Sequence, residues 1–366
     1  MVVSISSHAI APAAVLRGEG AWQGALPKIS ALCFRPLLLG RSRATSGLRD
    51  ALASDLVGVG LAPQRAKLQF DCCDDDLQRL MLEAANCDAV VAAGGGKVLD
   101  AGKLLAHRLG LPCITVPLSA ATCAGWTALS NVYSTQGAFQ GDVALERCPE
   151  LLVFDHSLVR QAPARTLASG IADALAKWYE ASVSSGDSSD GLVQQAVQMA
   201  RVLRDQLLID GPLALQDSNS AAWARTAEAC ALTAGVMGGL GGARCRTVAA
   251  HAVHNGLTQL QACHHVLHGE KVGFGILVQL RLEERLGGNR LAGQAHRQLL
   301  PLMRQLQLPV SLDDLGLSAA SLRDLQEVCA FACREGSDLH HLPFAVTPGA
   351  LLEALVGAAE PSSVVP

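Results

Sequence analysis

The sequence predicts an α/β fold in which a parallel sheet with helices is followed by an all-helical region. In the first 162 residues, short apolar runs of strand length alternate with helical stretches, as is typical of βαβ units. After residue 163, strand-like runs nearly vanish and the apolar residues follow the helical period. We therefore expect two domains of ordinary size, 1–162 and 163–366.

The first region contains the strand candidates. A cluster of acidic residues at 74–76 follows the predicted strand at 66–70. It predicts a helix start, because carboxylates there accept bonds from free N–H groups. Polar turn residues between Tyr133 and Phe139 predict a β-hairpin over 130–145. The predicted strands are 35–39, 66–70, 89–93, 113–116 and 151–155.

Helical spacing defines the second region, and Gly and Pro mark its turns. Pro301 is expected to kink or split the helix that carries it. Turns are expected at Gly211-Pro212 and Gly287-Gly288, and residues 358–366 are expected to form a loose tail. The predicted helices are 167–184, 188–208, 221–236, 248–260, 271–286 and 291–306.

Composition excludes several classes of protein. The formal net charge is −4 and no basic run occurs, so nucleic acid is not an expected partner. No secretory signal and no stretch of eighteen apolar residues is visible, so no membrane association is expected. The 12 cysteines are scattered without a C-x-x-C pair and read as reduced thiols. These features predict a cytoplasmic protein with a small-molecule substrate.

Three consecutive glycines follow the apolar run at 89–93. Gly94, Gly95 and Gly96 precede Lys97 and a predicted helix. Glycines let the backbone approach a pyrophosphate, and the helix start supplies N–H donors and a positive dipole end. A plain strand-to-helix turn is the alternative interpretation. The pattern favours a Rossmann-like dinucleotide-binding domain.

Five histidines lie within eighteen positions. His251 and His254 share one face of a predicted helix, and His264, His265 and His268 follow. Asp173 lies far upstream. Imidazole and carboxylate are ligands for zinc or iron(II), and three protein ligands leave a position open for catalysis. From spacing alone, structural histidines and an Asp173–Lys177 ion pair remain open alternatives.

Four long stretches resemble one family. Residues 92–103, 127–134, 168–181 and 248–280 are similar in sequence and order to the glycerol dehydrogenase branch of the iron-containing alcohol dehydrogenases. Among these, the chain looks closest to bacterial 2-hydroxycarboxylate dehydrogenases. The resemblance implies a dehydroquinate synthase-like fold, a metal-dependent dehydrogenase activity with NAD or NADP, and a homo-oligomer.

The resemblance also implies roles for individual residues. The metal ligands fall on Asp173, His251 and His268, and the ligand set suits Zn²⁺ and Fe²⁺ equally. His254 matches the residue near the nicotinamide. The cofactor positions correspond to Gly94, Gly95, Gly96, Lys97, Thr115, Ser119, Thr127, Leu129 and Tyr133.

The substrate pocket departs from the glycerol dehydrogenase pattern. Cys123 stands where those enzymes carry an Asp that meets the polyol, and Trp126 adds bulk nearby. Loss of a negative charge makes an anionic substrate easier to accept. Arg246 and Lys271 are candidates for added positive charge. We therefore expect a 2-oxo acid as substrate, with glycerol dehydrogenase activity using NAD as the alternative.

The run from Gly40 through Arg41 to Arg43 follows what reads as the first strand. NAD-preferring enzymes often place an acid there for the ribose 2′-hydroxyl, whereas guanidinium groups pair with a phosphate. This favours NADP over NAD.

The expected reaction is hydride transfer from the dihydronicotinamide to a carbonyl polarised by the metal, with a proton relayed through water and His254. A dehydroquinate synthase-like lyase is one alternative. Its phosphate-bearing substrate needs several basic residues, and that set is not found in this sequence. A non-catalytic nucleotide-binding protein is a further alternative.

Overall fold

The computed structural model, which describes residues 7–360 apart from the side chain of residue 244, has the expected α/β architecture. A six-stranded, wholly parallel sheet has the strand order first, eighth, fifth, fourth, second, third, and the sixth and seventh strands form an antiparallel hairpin. The strands are β1 (Ala14–Gly18), β2 (Pro36–Gly40), β3 (Gln64–Lys67), β4 (Ala89–Gly94), β5 (Cys113–Pro117), β6 (Leu129–Tyr133), β7 (Phe139–Ala144) and β8 (Leu151–Asp155).

Helices flank the sheet and then form the whole of the second region. A π-helical turn at Ala229–Thr233 joins the eighth and ninth. The helices are α1 (Ala21–Leu32), α2 (Ser46–Gly58), α3 (Asp74–Glu83), α4 (Gly96–Leu109), α5 (His156–Val159), α6 (Ala164–Ser185), α7 (Gly191–Gln216), α8 (Ala221–Glu228), α9 (Ala234–Arg246), α10 (Ala249–Leu257), α11 (His268–Arg285), α12 (Arg290–Gln305), α13 (Leu322–Ala332) and α14 (Pro348–Val356).

Both faces of the sheet are buried because successive side chains of a strand point in opposite directions. Leu38 and Val91 pack with α1 and α2, whereas Leu37 and Val90 pack with α3 and α4. Fully apolar strands are typical of a parallel sheet covered on both sides. The carboxyl ends of β2, β4 and β5 therefore meet at one edge, where a doubly wound sheet binds its ligand.

The helical region and one strand of the sheet share an apolar core. Leu152 and Phe154 of β8 are fully buried in the cluster that also contains Ile171 of α6 and Phe274 of α11. The expected boundary at residues 162 and 163 falls between α5 and α6. The sheet therefore carries part of the surface on which the helices pack.

The edges of the sheet differ from the sequence prediction. β1 was not predicted, so the strand read as the first is the second. β3 covers Gln64–Lys67 rather than 66–70. Both are edge strands with partly exposed side chains, so neither shows the apolar run that identifies a buried strand.

Two helices continue through positions where a break was expected. α7 continues through Gly211-Pro212 to Gln216, and Gly211 lets it approach Ile171 of α6, since a Cβ there would lie 3.3 Å from Ile171 Cδ1. α12 continues through Pro301. Because Arg297 and Pro301 are both exposed, the carbonyl that Pro301 leaves without a donor lies on the solvent side.

The helix predicted over 221–236 is helical throughout, because the π-helical turn joins α8 and α9 without a break. The expected loose tail is wrong up to residue 360. His296 Nε2 bonds to the Ala358 carbonyl at 2.8 Å, and Arg281 donates to the carbonyls of Gly357 and Glu360. Residues 361–366 lie outside the described part.

Every helix within residues 7–360 is too short or too polar to cross a lipid bilayer.

Candidate active site

The glycine loop lies at the carboxyl end of β4. Gly94 ends the strand and Gly96 begins α4. Gly95 has an extended conformation with φ −85°, so the loop does not need glycine there for a left-handed turn. A Cβ on Gly94 would lie 2.7 Å from Val98 Cβ, and one on Gly96 would lie 3.2 Å from Thr122 Oγ1. The bare backbone therefore leaves the N-terminus of α4 open to an anion.

Lys97 and Ser119 lie beside this loop. The Lys97 ammonium forms an ion pair with Asp71 and lies 5.0 Å from the centre of the Tyr133 ring. The Cβ position of Gly95 is 3.8 Å from Ser119 Oγ. Burial raises the pKa of Tyr133 well above its ordinary value, so its hydroxyl stays protonated. The structure brings this part of the expected cofactor site together.

Thr115, Thr127 and Leu129, the other expected cofactor residues, are fixed by hydrogen bonds to neighbouring segments. Thr115 is fully buried, and its hydroxyl donates to the Gly125 carbonyl at 2.8 Å. Lys103 of α4 donates to the Thr127 carbonyl at 3.0 Å and also to the Leu129 carbonyl. Sequence reasoning missed this buried lysine because a cation in the middle of a helix is usually exposed. It anchors β6 beside the glycine loop.

Arg41 and Arg43 follow β2 and are exposed. A third arginine, Arg49, is buried beneath them. It donates to the Ser42 carbonyl at 2.9 Å, and a Cβ on Gly40 would lie 2.1 Å from Arg49 Nε. The Arg49 contact explains why glycine ends the strand. The loop thus presents two free guanidinium groups at the sheet edge.

Three expected metal ligands meet on three helices. Asp173 lies on α6, His251 on α10, and His268 is the first residue of α11. Asp173 Oδ1 is 3.4 Å from His251 Nε2 and 3.7 Å from His268 Nε2, and the three ligand atoms all lie within 4.8 Å of one another. Ligands of one tetrahedral metal lie roughly 3.3 Å apart. Two imidazoles and one carboxylate at these distances fit a single zinc or iron(II) ion.

Asp173, His251 and His268 are called the metal group below, and the protonation states of Asp173 and His268 suit the binding of a cation. Burial would raise the pKa of Asp173, but Lys177, followed by His251 and His268, holds it well below its ordinary value. Burial lowers the pKa of His268 despite its bond to Asp173. An ionised carboxylate and a neutral His268 are the forms that bind a cation. The Asp173–Lys177 pair, at 3.3 Å, is therefore compatible with a ligand role for Asp173.

Glu180 orients His251 and was missed from the sequence. Its side chain is fully buried on α6. It accepts bonds from the backbone N–H of Val248 at 2.7 Å and of His251 at 3.0 Å, and contacts His251 Nδ1 at 2.6 Å. One carboxylate thus caps α10, which has no cap from its own side chains, and fixes Nε2 of His251 toward Asp173.

His254 is 2% exposed and lies beside the metal group. His268 Nδ1 is 2.9 Å from His254 Nε2, and His254 Nδ1 is 2.9 Å from Asn255 Oδ1. If His268 binds metal through Nε2, its proton sits on Nδ1, so His254 accepts from His268 and donates to Asn255. Burial, followed by the charge of His268, lowers the pKa of His254 well below its ordinary value. Both ring nitrogens of His254 are therefore engaged.

Cys123 lies near Asp173 and Lys177, in the loop between β5 and β6. Burial raises the pKa of its thiol, although the charge of Lys177 opposes this. The Trp126 side chain is buried and hydrogen-bonded. It is 9% exposed, donates from Nε1 to the Ile10 carbonyl at 2.9 Å, and packs on α9, where a Cβ on Gly235 would lie 2.5 Å from Trp126 Cβ.

The other two histidines of the cluster lie away from the metal group. His264 Nε2 bonds to the Thr258 carbonyl at 3.0 Å and its ring lies 3.8 Å from the Cβ position of Gly137 at the hairpin tip. His265 faces Gly316.

Lys271 donates to the Val266 carbonyl at 2.6 Å, and burial lowers its pKa to about 8. Among the described residues, the metal group consists of Asp173, His251 and His268.

Several known proteins are similar to this chain over most of its length. The family model for iron-containing alcohol dehydrogenases matches residues 12–156. An uncharacterized oxidoreductase of Synechocystis sp. is 50% identical over 96% of this chain and 91% of its own. Glycerol dehydrogenase of Escherichia coli O6:H1 is 33% identical over 89% of both chains. The chain belongs to the iron-containing alcohol dehydrogenase family.

Further relatives cover both candidate activities. Hydroxycarboxylate dehydrogenase A of Escherichia coli K12 is 36% identical over 77% of this chain and 78% of its own. The crystal structure of a probable glycerol dehydrogenase from Sinorhizobium meliloti superposes with a TM-score of 0.85 at 28% identity, covering 96% of this chain and 98% of that one. The expected family and fold are therefore confirmed, and the chain is an oxidoreductase that acts on alcohols.

Proposed function

We propose that this dehydrogenase interconverts a small 2-oxo acid and its 2-hydroxy acid, using NADP in preference to NAD. The observation that carries the substrate class is the neighbourhood of Cys123. A neutral thiol lies there beside the cation Lys177, and the carboxylate that would meet a polyol is missing. Hydroxycarboxylate dehydrogenase A among the relatives supports this class.

Each part of the site has a task in this proposal. The N-terminus of α4, behind Gly94–Gly96, binds the pyrophosphate, and Asp173, His251 and His268 hold one divalent cation. When bound there, the cation would supply Lewis-acid polarisation of the carbonyl, and the nicotinamide cofactor would supply the hydride.

The chain's own residues set the charges around the substrate. Because burial raises the pKa of Cys123, its thiol keeps its proton and does not repel an anion. A proton relayed through His254 requires its ring to release Asn255 or His268, because both ring nitrogens are engaged. His254 therefore also positions His268.

Arg41 and Arg43 support the cofactor preference. They are exposed at the carboxyl end of β2, and a parallel sheet binds the adenosine ribose near this edge. An acid that would hold a ribose 2′-hydroxyl is missing from 40–43, and guanidinium groups pair well with a 2′-phosphate.

Initial rates of NADPH and NADH oxidation test the proposal. The carbonyl panel contains 2-oxobutanoate, oxaloacetate, 2-oxoglutarate and dihydroxyacetone. We expect higher kcat/KM with NADPH and the oxo acids. Preference for NADH and dihydroxyacetone would establish a glycerol dehydrogenase instead, an activity that the Escherichia coli and Sinorhizobium meliloti relatives favour.

A substitution at Cys123 separates charge from shape. Cys123→Asp restores a carboxylate, and we expect kcat/KM for 2-oxobutanoate to fall by about 10-fold or more relative to dihydroxyacetone, because like charges in one pocket repel. Cys123→Ser, of similar size and uncharged, is the matched control. Equal effects of both substitutions on both substrates would contradict the assigned role of charge.

A further inference from the structure

Arg246, the last residue of α9, lies close enough to Cys123 for its charge to act on the thiol. Its aliphatic part lies on the bare backbone of Gly238, where a Cβ would lie 2.8 Å from Arg246 Cδ. Gly235, one turn earlier, receives Trp126 in the same way, at 2.5 Å from Trp126 Cβ. Residues three apart share one face of a helix. Arg246 therefore lies alongside the 123–126 loop, and its charge acts on Cys123.

One nitrogen of the partly buried Arg246 guanidinium lacks a partner among the described residues. Its Nε atom is shielded from solvent and makes no hydrogen bond, and Arg246 forms no ion pair with any residue whose side chain the structure describes. Two more deeply buried arginines have partners: Arg49 donates to the Ser42 carbonyl at 2.9 Å and Arg281 to the Gly357 carbonyl at 2.9 Å. Buried donors without a partner are rare in native proteins, so a partner absent from the chain itself is indicated.

The charges around Cys123 identify the chemistry of that partner. They include the cations Lys177 and Arg246 and the carboxylate of Asp173. Asp173 is already used by Lys177 at 3.3 Å and belongs to the metal group. A bound divalent cation would add further positive charge. The pocket is therefore complementary to one more carboxylate, which an arginine binds through Nε and one Nη as parallel hydrogen bonds.

We propose that Arg246 determines substrate specificity by binding the carboxylate of the 2-oxo acid. This inference rests on the proposed function and goes beyond it, because it assigns the selection of an anionic substrate to one side chain on α9. Loss of the guanidinium should then weaken the binding of acids much more than the binding of neutral carbonyls of the same shape.

The test compares 2-oxobutanoate with its neutral analogue 2-oxobutanamide. In Arg246→Leu, we expect kcat/KM for the acid to fall about 10- to 100-fold and that for the amide less than about threefold. Arg246→Lys should recover part of the difference, since it restores charge without the planar pair of donors. Arg297→Leu, at an exposed position on α12, is the matched control. Equal losses for acid and amide would overturn the proposal.

A binding measurement separates this inference from the proposed function. Oxamate and oxamide are titrated calorimetrically into zinc-loaded wild-type and Arg246→Leu protein of equal metal content. We expect about 10- to 100-fold weaker oxamate binding in the variant and a smaller change for oxamide. If the wild type prefers dihydroxyacetone but its oxamate binding depends on Arg246, the proposed substrate is wrong and the anion site stands. Oxamate binding equal in both proteins overturns the anion site itself.

Discussion

Replacing Glu180 with glutamine tests whether one buried carboxylate both caps α10 and sets the proton of His251. Glu180 is fully buried and accepts from two backbone N–H groups and from His251 Nδ1, at 2.7, 3.0 and 2.6 Å. Glutamine has nearly the same shape, so the substitution changes hydrogen bonding and charge with little change in packing.

The expected loss follows from these three contacts. The glutamine oxygen can keep both backbone bonds, but its NH₂ group then faces the proton on His251 Nδ1. Two facing donors cost about 1–3 kcal/mol. If His251 instead moves its proton to Nε2, it loses the lone pair that binds metal. We therefore expect metal affinity to fall about 10- to 100-fold, which is about 1.4–2.7 kcal/mol.

Competition between the protein and a zinc chelator measures this affinity, and thermal unfolding of the metal-free protein measures stability separately. Glu283→Gln is the matched control. Glu283 is also a buried carboxylate, on α11, but it bonds to Gln279 and Asn289 and has no hydrogen bond to His251, His268 or Asp173. Zinc affinity within twofold of wild type in Glu180→Gln would refute the reasoning.

Three further outcomes are expected. Joint replacement of Arg41 and Arg43 by alanine should raise KM for NADPH about 10-fold and leave that for NADH within about twofold, since charge-assisted bonds to a phosphate are lost; equal changes for both cofactors would contradict this. Gly269→Ala should lower the melting temperature and the zinc content after dialysis. Its Cβ would lie 1.8 Å from the Ser169 carbonyl oxygen and push α11 away from α6, at a cost of about 1–3 kcal/mol or more. Gly349→Ala, where a Cβ would meet open space, is the control. Burial raises the pKa of Cys113 to about 12, above its unfolded value of about 8.5, so its contribution to stability is complete below pH 8.5 and declines by about 1.4 kcal/mol per pH unit above it. Urea unfolding in reductant at pH 8, 9 and 10 should show this decline, and Cys113→Ala should make it shallower.

The central strands could be predicted because burial on both faces leaves a continuous apolar run. β4, β5 and β8 were found nearly to the residue for this reason. β3 has the sequence QRAK at the sheet edge, and its pairing with β2 is set by the tertiary fold. An edge strand with this composition carries no periodic signal.

Some residues of the candidate site could be identified from the sequence and others could not. Asp173, His251 and His268 were identified through a family resemblance and now lie within 4.8 Å of one another. Glu180 and Lys103 could not be identified, because their roles depend on contacts with residues 71 and 24 positions away. A charged residue on a helix is exposed far more often than buried, so local sequence predicted the opposite environment.

The shared core of β8 and the helical region limits where this chain can be recombined with a relative. A junction at residue 163 would set Leu152 and Phe154 of one parent against helices of the other, and a core tolerates exchange only when volumes match. A junction at Gly110, an exposed turn between α4 and β5, would keep both residues with their own helices while exchanging the glycine loop and the Arg41–Arg43 loop. Such an exchange would show whether cofactor preference moves with this block, while the core around Asp173, His251 and His268 stays with one parent.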